Sequence, residues 1–364
     1  MEKLYRVIDA NVNRASEGIR VIEDIGRFYL NHSELTSDLR EIRHKIRDIA
    51  KIFLKNCLIE RDSIKDIGLD ISIKSNLSNK TNIIELIEAN FKRVQEALRT
   101  LEEVINIVGH NDISREFEVI RFKTYYLEKE IYFKIKINLV KSEKNRKLDT
   151  DIYCITSYEH SKGRNNIDVI TEMLEENIEI IQYREKNKSL AEKYRECIEI
   201  RELTLKYKAT FIINDDIHIA KMVNADGVHI GQDDLPIDKV REFLGEDFII
   251  GISTHSKDQC IQSINSEADY IGVGPIFKTY TKKDVCDPVG LSYLSYVSKN
   301  VKIPFVAIGG IKEHNLASVL KEKPKMIALV TEIVGADDIR AKIRSIRKIM
   351  RENKGREKDL MNKV

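Results

Sequence analysis

From residue 151 onward, short apolar runs alternate with amphipathic segments eight times over. The runs are DIYCIT (151–156), EIIQYRE (179–185), TFIIN (210–214), GVHIG (227–231), FIIGIS (248–253), YIGVG (270–274), IPFVAIG (303–309) and MIALVT (326–331). Runs of this length read as strands buried on both faces, and the segments between them as crossover helices. Eight such units in about 200 residues predict a closed (β/α)8 TIM barrel rather than an open doubly wound sheet of five or six strands. No GxGxxG follows the first run and no P-loop occurs in the chain. Dinucleotide and Walker-type sites are therefore not expected.

The opening residues obey a different rule. All five prolines, Pro236, Pro275, Pro288, Pro304 and Pro324, lie in the second half. Of the sixteen glycines, only Gly18, Gly26, Gly68 and Gly109 precede residue 150. Proline costs about 3 kcal/mol inside a helix and glycine about 1 kcal/mol, so a segment nearly free of both predicts helix. An all-α bundle over 1–145, a barrel over 150–350 and a charged tail over 351–364 are the expected domains. The polar stretch KSEKNRKLDT (141–150) has the composition of a linker.

Residues 9–24, DANVNRASEGIRVIED, align without gaps on residues 88–103, EANFKRVQEALRTLEE. With a one-residue shift the likeness continues from Ile42, Arg43 and Lys45 to Ile120, Arg121 and Lys123. An internal repeat of two helix pairs is the expectation, making a bundle of about four helices. Arg14, Glu17 and Arg20 share a helix face, as do Arg93, Glu96 and Arg99. Asn11 and Asn90 precede them and are expected near helix starts as caps. A solvated salt-bridge ladder and a pair of polar faces with arginines free for phosphate are both open readings. Between the copies, Ile67, Leu69, Ile71 and Ile73 alternate as in a short extended stretch.

Composition narrows the function classes. The net charge is +2 with 33% charged residues, which weakens the case for a nucleic-acid arm, an acidic tail or a polybasic membrane anchor. The charged N-terminus is not a secretory signal, and no long uncharged apolar stretch predicts a membrane span. Cys57, Cys154, Cys197, Cys260 and Cys286 show no CxxC spacing. Reduced thiols in a cytoplasmic protein are expected rather than structural zinc. Small molecules are the expected partners, and a homo-oligomer stays open.

In such barrels the chemistry sits at the C-terminal ends of the strands. Those ends carry Gln182 to Lys186, Asn214 to Asp216, His229 with Gln232 to Asp234, Ser253 to His255, Thr279 to Lys283, Gly309–Gly310 and Val330–Thr331. Singly, each has a structural explanation: Asp215 or Asp216 as a helix cap, Asp233–Asp234 as a turn, Lys282–Lys283 as a solvated loop. Together at consecutive strand ends they describe a polar site. The glycine pair suits a phosphate held by backbone N–H groups. Asp215 and Asp234, from adjacent strands, suit one Mg2+ shared with phosphate oxygens. Arg184, Lys186 and Lys282 supply positive charge.

The stretches QYREK (182–186), INDD (213–216), ADGVHIGQDD (225–234), GISTH (251–255), ADYIGVGPIF (268–277), TYTKK (279–283), PVGL (288–291) and VAIGGI (306–311) resemble thiamine-phosphate synthase along the whole barrel. That family joins hydroxymethylpyrimidine diphosphate to thiazole phosphate, releasing pyrophosphate, with Mg2+. The resemblance implies that Gln182, Tyr183, Arg184, Glu185, Lys186, Asn214, Ser253 and Lys282 meet the pyrimidine diphosphate. It implies Mg2+ on Asp215 and Asp234, and thiazole phosphate on Thr279, Thr281, Gly310, Val330 and Thr331. Arg184, Lys186, Ser253 and Lys282 would be the catalytic set, in a dissociative reaction. Lys278 stands where the family often has proline, and Thr331 where it often has serine. The segment DANVNRASEGIRVIED is similar to a domain fused ahead of this enzyme in some bacteria and linked to an alternative hydroxymethylpyrimidine-phosphate kinase. That resemblance implies ATP, with Asn11, Arg14, Glu17, Arg20, Asn90, Arg93, Glu96 and Arg99 as candidates for its site. A thiazole tautomerase-like barrel behind a non-catalytic oligomerisation domain is the alternative.

Overall fold

The computed structural model describes residues 2–61, 80–281 and 286–361, with side chains through 353. By its internal contacts the chain divides into two units, residues 1–139 and 140–364. In the first, helices α1 (Lys3–Asp24), α2 (Ser33–Ala50), α3 (Leu54–Glu60) and α4 (Ile83–Ile107) are followed by α5 (Asn111–Lys147), whose residues from 140 onward belong to the second unit. Along α4 the residues Ile87, Phe91, Val94, Leu98, Leu101 and Ile105 are buried at helical spacing. Each fully buried Ile or Leu stabilises by about 1.5–3 kcal/mol, so this stripe drives the bundle together. Asn82 starts α4 by accepting from the N–H of Glu85 at 2.9 Å, and Glu85 accepts from the N–H of Thr81 at 2.9 Å. The alternating residues Ile67 to Ile73 lie outside the described residues.

The two aligned segments occupy α1 and α4, and their polar residues fall into two sets. Glu23 pairs with Arg43 at 2.7 Å, and Glu102 pairs with Arg121, both carboxylates being buried. Lys45 reaches Glu116 at 3.8 Å and Lys123 reaches Asp38 at 3.6 Å. Arg20 pairs with Glu23 and Asp24, Arg99 with Glu102 and Glu103. By contrast Arg14, Glu17, Arg93 and Glu96 are exposed, and their side chains make no hydrogen bond or ion pair among the described residues. Asn11 and Asn90 are not caps, because their helices begin earlier, at Lys3 and Ile83. Each is buried in mid-helix and donates to the carbonyl four residues back, Val7 at 2.8 Å and Leu86 at 2.7 Å.

The second unit is a closed barrel of eight parallel strands in sequential order. They are β1 (Ile152–Ile155), β2 (Ile180–Tyr183), β3 (Thr210–Asn214), β4 (Gly227–Ile230), β5 (Ile249–Thr254), β6 (Tyr270–Val273), β7 (Phe305–Ala307) and β8 (Met326–Leu329). All eight runs expected as strands are strands. Helices α6 (Asn166–Glu175), α7 (Leu190–Tyr207), α8 (Ile217–Met222), α9 (Ile237–Leu244), α10 (Lys257–Asn265), α11 (Gly290–Asn300), α12 (Leu316–Lys321), α13 (Thr331–Val334) and α14 (Ile339–Met361) accompany them. Alternate residues split between two layers. Tyr153, Ile155, Ile180, Ile212, Ile249, Tyr270, Val306, Met326 and Ala328 fill the lumen. Cys154, Ile181, Phe211, Ile213, Ile250, Ile271, Ile327 and Leu329 pack in the larger core with the helices. Among the described residues, no helix is long and apolar enough to cross a membrane.

Residues 141–150 are not an extended linker. Helix α5 continues to Lys147, and its last turns are tied to the barrel's lower rim. Lys144 is buried beside Asp269 at 3.2 Å, and Lys147 meets Asp226 at 2.8 Å. Both aspartates also accept backbone N–H groups, from Ile250 and Phe211, and take Arg241 and Arg201. Leu148 is buried with the lumen residues. A polar segment can thus be fully structured when its charges meet buried partners. The charged segment after 350 likewise continues α14 as far as Met361.

Candidate active site

A cavity of about 510 Å3 opens at the C-terminal ends of the strands. Its lining includes Gln182, Arg184, Lys186, Asn214, Asp215, Asp234, Ser253, Thr279, Thr281, Gly310, Val330 and Thr331. With His229, Gln232, Asp233, His255 and Gly309, seventeen residues singled out from strand ends therefore share one pocket. Lys282 lies outside the described residues. Tyr183 and Glu185 are not on the cavity wall. Strand alternation turns Tyr183 outward when Gln182 faces in. The Tyr183 hydroxyl donates to Glu196 at 2.7 Å, and burial with that carboxylate pushes the phenol's pKa up. Glu185 accepts from the N–H of Tyr158 and from Asn166, each at 2.9 Å.

The floor of the cavity is a hydrogen-bonded relay that strand-end reasoning did not assemble. Gln182 Nε2 donates to Tyr153 Oη at 3.0 Å. Tyr153 Oη and Tyr270 Oη are 2.7 Å apart, and Tyr270 Oη is 3.0 Å from His229 Nδ1. His229 Nε2 is 3.0 Å from Ser253 Oγ. Burial raises both tyrosine pKa values, so the phenols stay neutral and each passes on one hydrogen. The chain Gln182–Tyr153–Tyr270–His229–Ser253 is continuous, and its hydrogen direction follows the tautomer of His229. A Cβ on Gly251 would stand 2.1 Å from the Tyr270 ring, so the relay needs glycine there. The tyrosines come from the middle of β1 and the start of β6, which explains why attention to strand ends alone misses them.

The rim carries the charge. Arg184 is anchored by its N–H on Thr156 Oγ1 at 2.9 Å, while its guanidinium has no partner among the described residues. Lys186 pairs with Asp215. Asp215 holds a left-handed backbone, φ 62°, with its N–H on the His229 carbonyl at 2.9 Å. Asp234 accepts from the N–H of Gly231 at 2.6 Å. Gly309 and Gly310 both have positive φ, 97° and 66°, and a Cβ on either would lie under 3 Å from the 275–278 segment. Only glycine fits this turn, which brings the backbone close to the cavity. Thr279 and Thr281 hydroxyls lie 3.1 Å apart on the facing loop. Among the described residues no group of three His, Cys, Asp or Glu forms a ready metal cage. The two hard carboxylates instead suit an ion that brings phosphate oxygens and water as its other ligands.

A family model described as thiamine monophosphate synthase matches residues 152–333, and one described as the ThiD2 family matches residues 6–130. A thiamine-phosphate synthase from Pelotomaculum thermopropionicum is 59% identical over 203 residues, 56% of this chain and 93% of that protein. One from Prochlorococcus marinus is 35% identical over 336 residues, 92% of each chain. The solved structure of a thiamine phosphate pyrophosphorylase from Pyrococcus furiosus matches with a TM-score of 0.52 at 34% identity. That match covers 57% of this chain and 98% of the other.

Proposed function

The chain belongs to the thiamine-phosphate synthase family and is an enzyme of thiamine biosynthesis, and we propose that its barrel works by dissociative displacement. The observation that carries this reading is one cavity with cationic groups at one rim, a glycine turn with hydroxyls at another, and a neutral polar floor between them. Arg184, Lys186 and Asn214 hold the diphosphate of the pyrimidine substrate, with Lys282 as the further cation. Gln182 and Ser253 orient the pyrimidine over the floor relay. Gly310, Thr331, Val330, Thr279 and Thr281 seat the thiazole phosphate, where backbone N–H groups and hydroxyls suit an anion. Asp215 and Asp234 would hold Mg2+, which when bound supplies positive charge against the leaving diphosphate.

The bond from the pyrimidine methylene to the diphosphate oxygen breaks, and its electron pair departs with pyrophosphate. The thiazole nitrogen then gives its lone pair to the methylene carbon. Arg184 and Lys186 neutralise charge that grows on the departing oxygens, so they bind the transition state better than the ground state. The Ser253 hydroxyl, on the cavity wall beside His229, fixes the pyrimidine and does not act as a nucleophile. A tautomerase-like barrel would have no use for the Asp215–Lys186 and Asp234 groups, which favours condensation.

For residues 1–139 we propose a duplicated helical kinase that makes the diphosphate from the pyrimidine monophosphate and ATP. The match to the ThiD2 family supports it. So does the division of labour between matched positions. Arg20 and Arg99 are spent on ion pairs, whereas Arg14, Glu17, Arg93 and Glu96 carry no such load among the described residues. Two exposed arginines without partners among the described residues suit phosphate recognition. The full chain, given ATP, pyrimidine monophosphate and thiazole phosphate, is expected to form thiamine phosphate. The double variant Arg14→Ala, Arg93→Ala should lose this ATP-supported route and keep synthesis from the diphosphate. Equal ATP-supported rates in both proteins, or none in the unmodified chain, would remove the kinase reading.

A further inference from the structure

Three successive carbonyls hold the glycine turn that follows β7. Ile308 O accepts from the N–H of Ile276 at 2.9 Å, and Gly309 O accepts from the N–H of Phe277 at 2.9 Å. Both donors are backbone groups of the 275–278 segment. The third carbonyl is held differently. Gly310 O accepts from Asn315 Nδ2 at 3.0 Å. Asn315 Oδ1 in turn accepts from the N–H of Lys312 at 2.8 Å. One side-chain amide thus closes the loop from 310 to 315. Its orientation follows from its partners, since the nitrogen must face the carbonyl and the oxygen the N–H.

The place of Asn315 in the chain suggests another task. It stands immediately before α12, where asparagine ordinarily accepts from an N–H of the first turn. Its side chain makes no such cap bond. Nor is it on the wall of the reaction cavity, which includes Gly309, Gly310 and Ile311. A trans peptide sets its N–H opposite its C=O. With the carbonyls of Ile308, Gly309 and Gly310 held, the opposite edges are the N–H groups of Gly309, Gly310 and Ile311. None of these three has an acceptor among the described residues. Successive backbone N–H groups left open in this way suit an anion. Backbone contacts set the first two edges, and Asn315 alone sets the third.

We propose that Asn315 is a positioning residue for the thiazole phosphate: by holding the Gly310 carbonyl it keeps the Ile311 N–H turned to the anion, without itself touching substrate. The inference rests on the reading that this phosphate sits at the glycine turn. A donor aligned before the anion arrives needs no reordering when it binds. Without the clamp the peptide between 310 and 311 is free to turn, and its carbonyl oxygen can then oppose the phosphate. The phosphate takes no part in the bonds made and broken. Its contacts therefore act alike on bound substrate and transition state, and their loss raises KM while kcat is kept.

Steady-state kinetics of the full chain separate this role from a helix cap. In Asn315→Ala the KM for thiazole phosphate should rise about tenfold, as for one lost hydrogen bond to a charged group, with kcat and the KM for the pyrimidine diphosphate within about twofold. Asn315→Asp is the decisive variant. Aspartate caps a helix as well as asparagine does, but it has no N–H for the Gly310 carbonyl. It should raise the same KM at least as much as alanine does. A KM in Asn315→Asp within about twofold of the unmodified chain overturns the proposal in favour of a cap. Equal rises in both KM values, or a fall in kcat beyond about twofold in Asn315→Ala, overturn it in favour of a general loss of order. Thr331→Ala, also on the cavity wall, reports on the phosphate seat itself and should raise the KM for thiazole phosphate too. A rise in Thr331→Ala without one in Asn315→Ala removes the clamp and leaves the seat. No rise in either removes both.

Discussion

Asp215→Asn is expected to lower turnover about 100-fold, the cost of removing one charged group aimed at a developing transition state. The substitution keeps the shape of the side chain and removes the charge that pairs with Lys186. It also keeps a residue type that accepts the left-handed backbone found at this position, φ 62°. Alanine would add backbone strain to the loss of charge and confuse the two effects. With asparagine, stability to urea should change by less than about 0.5 kcal/mol, because the group sits at a rim and not in the core. Steady-state kinetics with saturating thiazole phosphate read the first quantity. Turnover within a factor of two of the unmodified chain would mean that Asp215 serves the loop rather than the chemistry.

The largest expected effect on stability belongs to the helical unit. Glu102→Ala should destabilise that unit by about 3–5 kcal/mol, the usual cost of breaking a buried ion pair from one side. The Glu102 side chain is 6% exposed, and its partner Arg121 is 12% exposed, so water cannot replace the lost carboxylate. Its carboxylate also meets Arg99, and it raises the pKa of the Arg121 guanidinium, which in the variant keeps only Tyr125 and the Phe122 ring against its charge. Glu17→Ala, on α1 and exposed, should change stability by less than about 0.5 kcal/mol. Urea unfolding of the full chain followed by circular dichroism separates the two. A loss under about 1 kcal/mol for Glu102→Ala would show that the pair is solvated in solution.

The barrel was legible because its signal is repeated. Eight apolar runs with site candidates at their C-terminal ends leave few topologies, and seventeen of those candidates meet in one cavity. Adjacent residues at one strand end were not separable in the same way. Gln182 and Tyr183 look alike as site candidates, yet the pleat sends one into the lumen and the other to Glu196. The floor relay was hidden for a related reason. Tyr153 and Tyr270 read as ordinary apolar members of their strands, and only barrel closure brings their hydroxyls to 2.7 Å. Composition misled over 141–147, where lysines that suggested a solvated linker find Asp226 and Asp269 at the barrel rim. In the helical unit the matched positions stood out, but their roles depended on partners far along the chain. Arg43 and Arg121 are what turn Glu23 and Glu102 into buried structural groups, whereas Arg14 and Arg93 have no such partner among the described residues.

The central claim is that one cavity carries out the condensation. Its most direct test is the rate at which the full chain forms thiamine phosphate from hydroxymethylpyrimidine diphosphate and thiazole phosphate. Product should accumulate with one pyrophosphate released for each thiamine phosphate, and chelation of divalent metal should stop it. No thiamine phosphate from these two substrates in the presence of Mg2+, with the protein folded, would contradict the account.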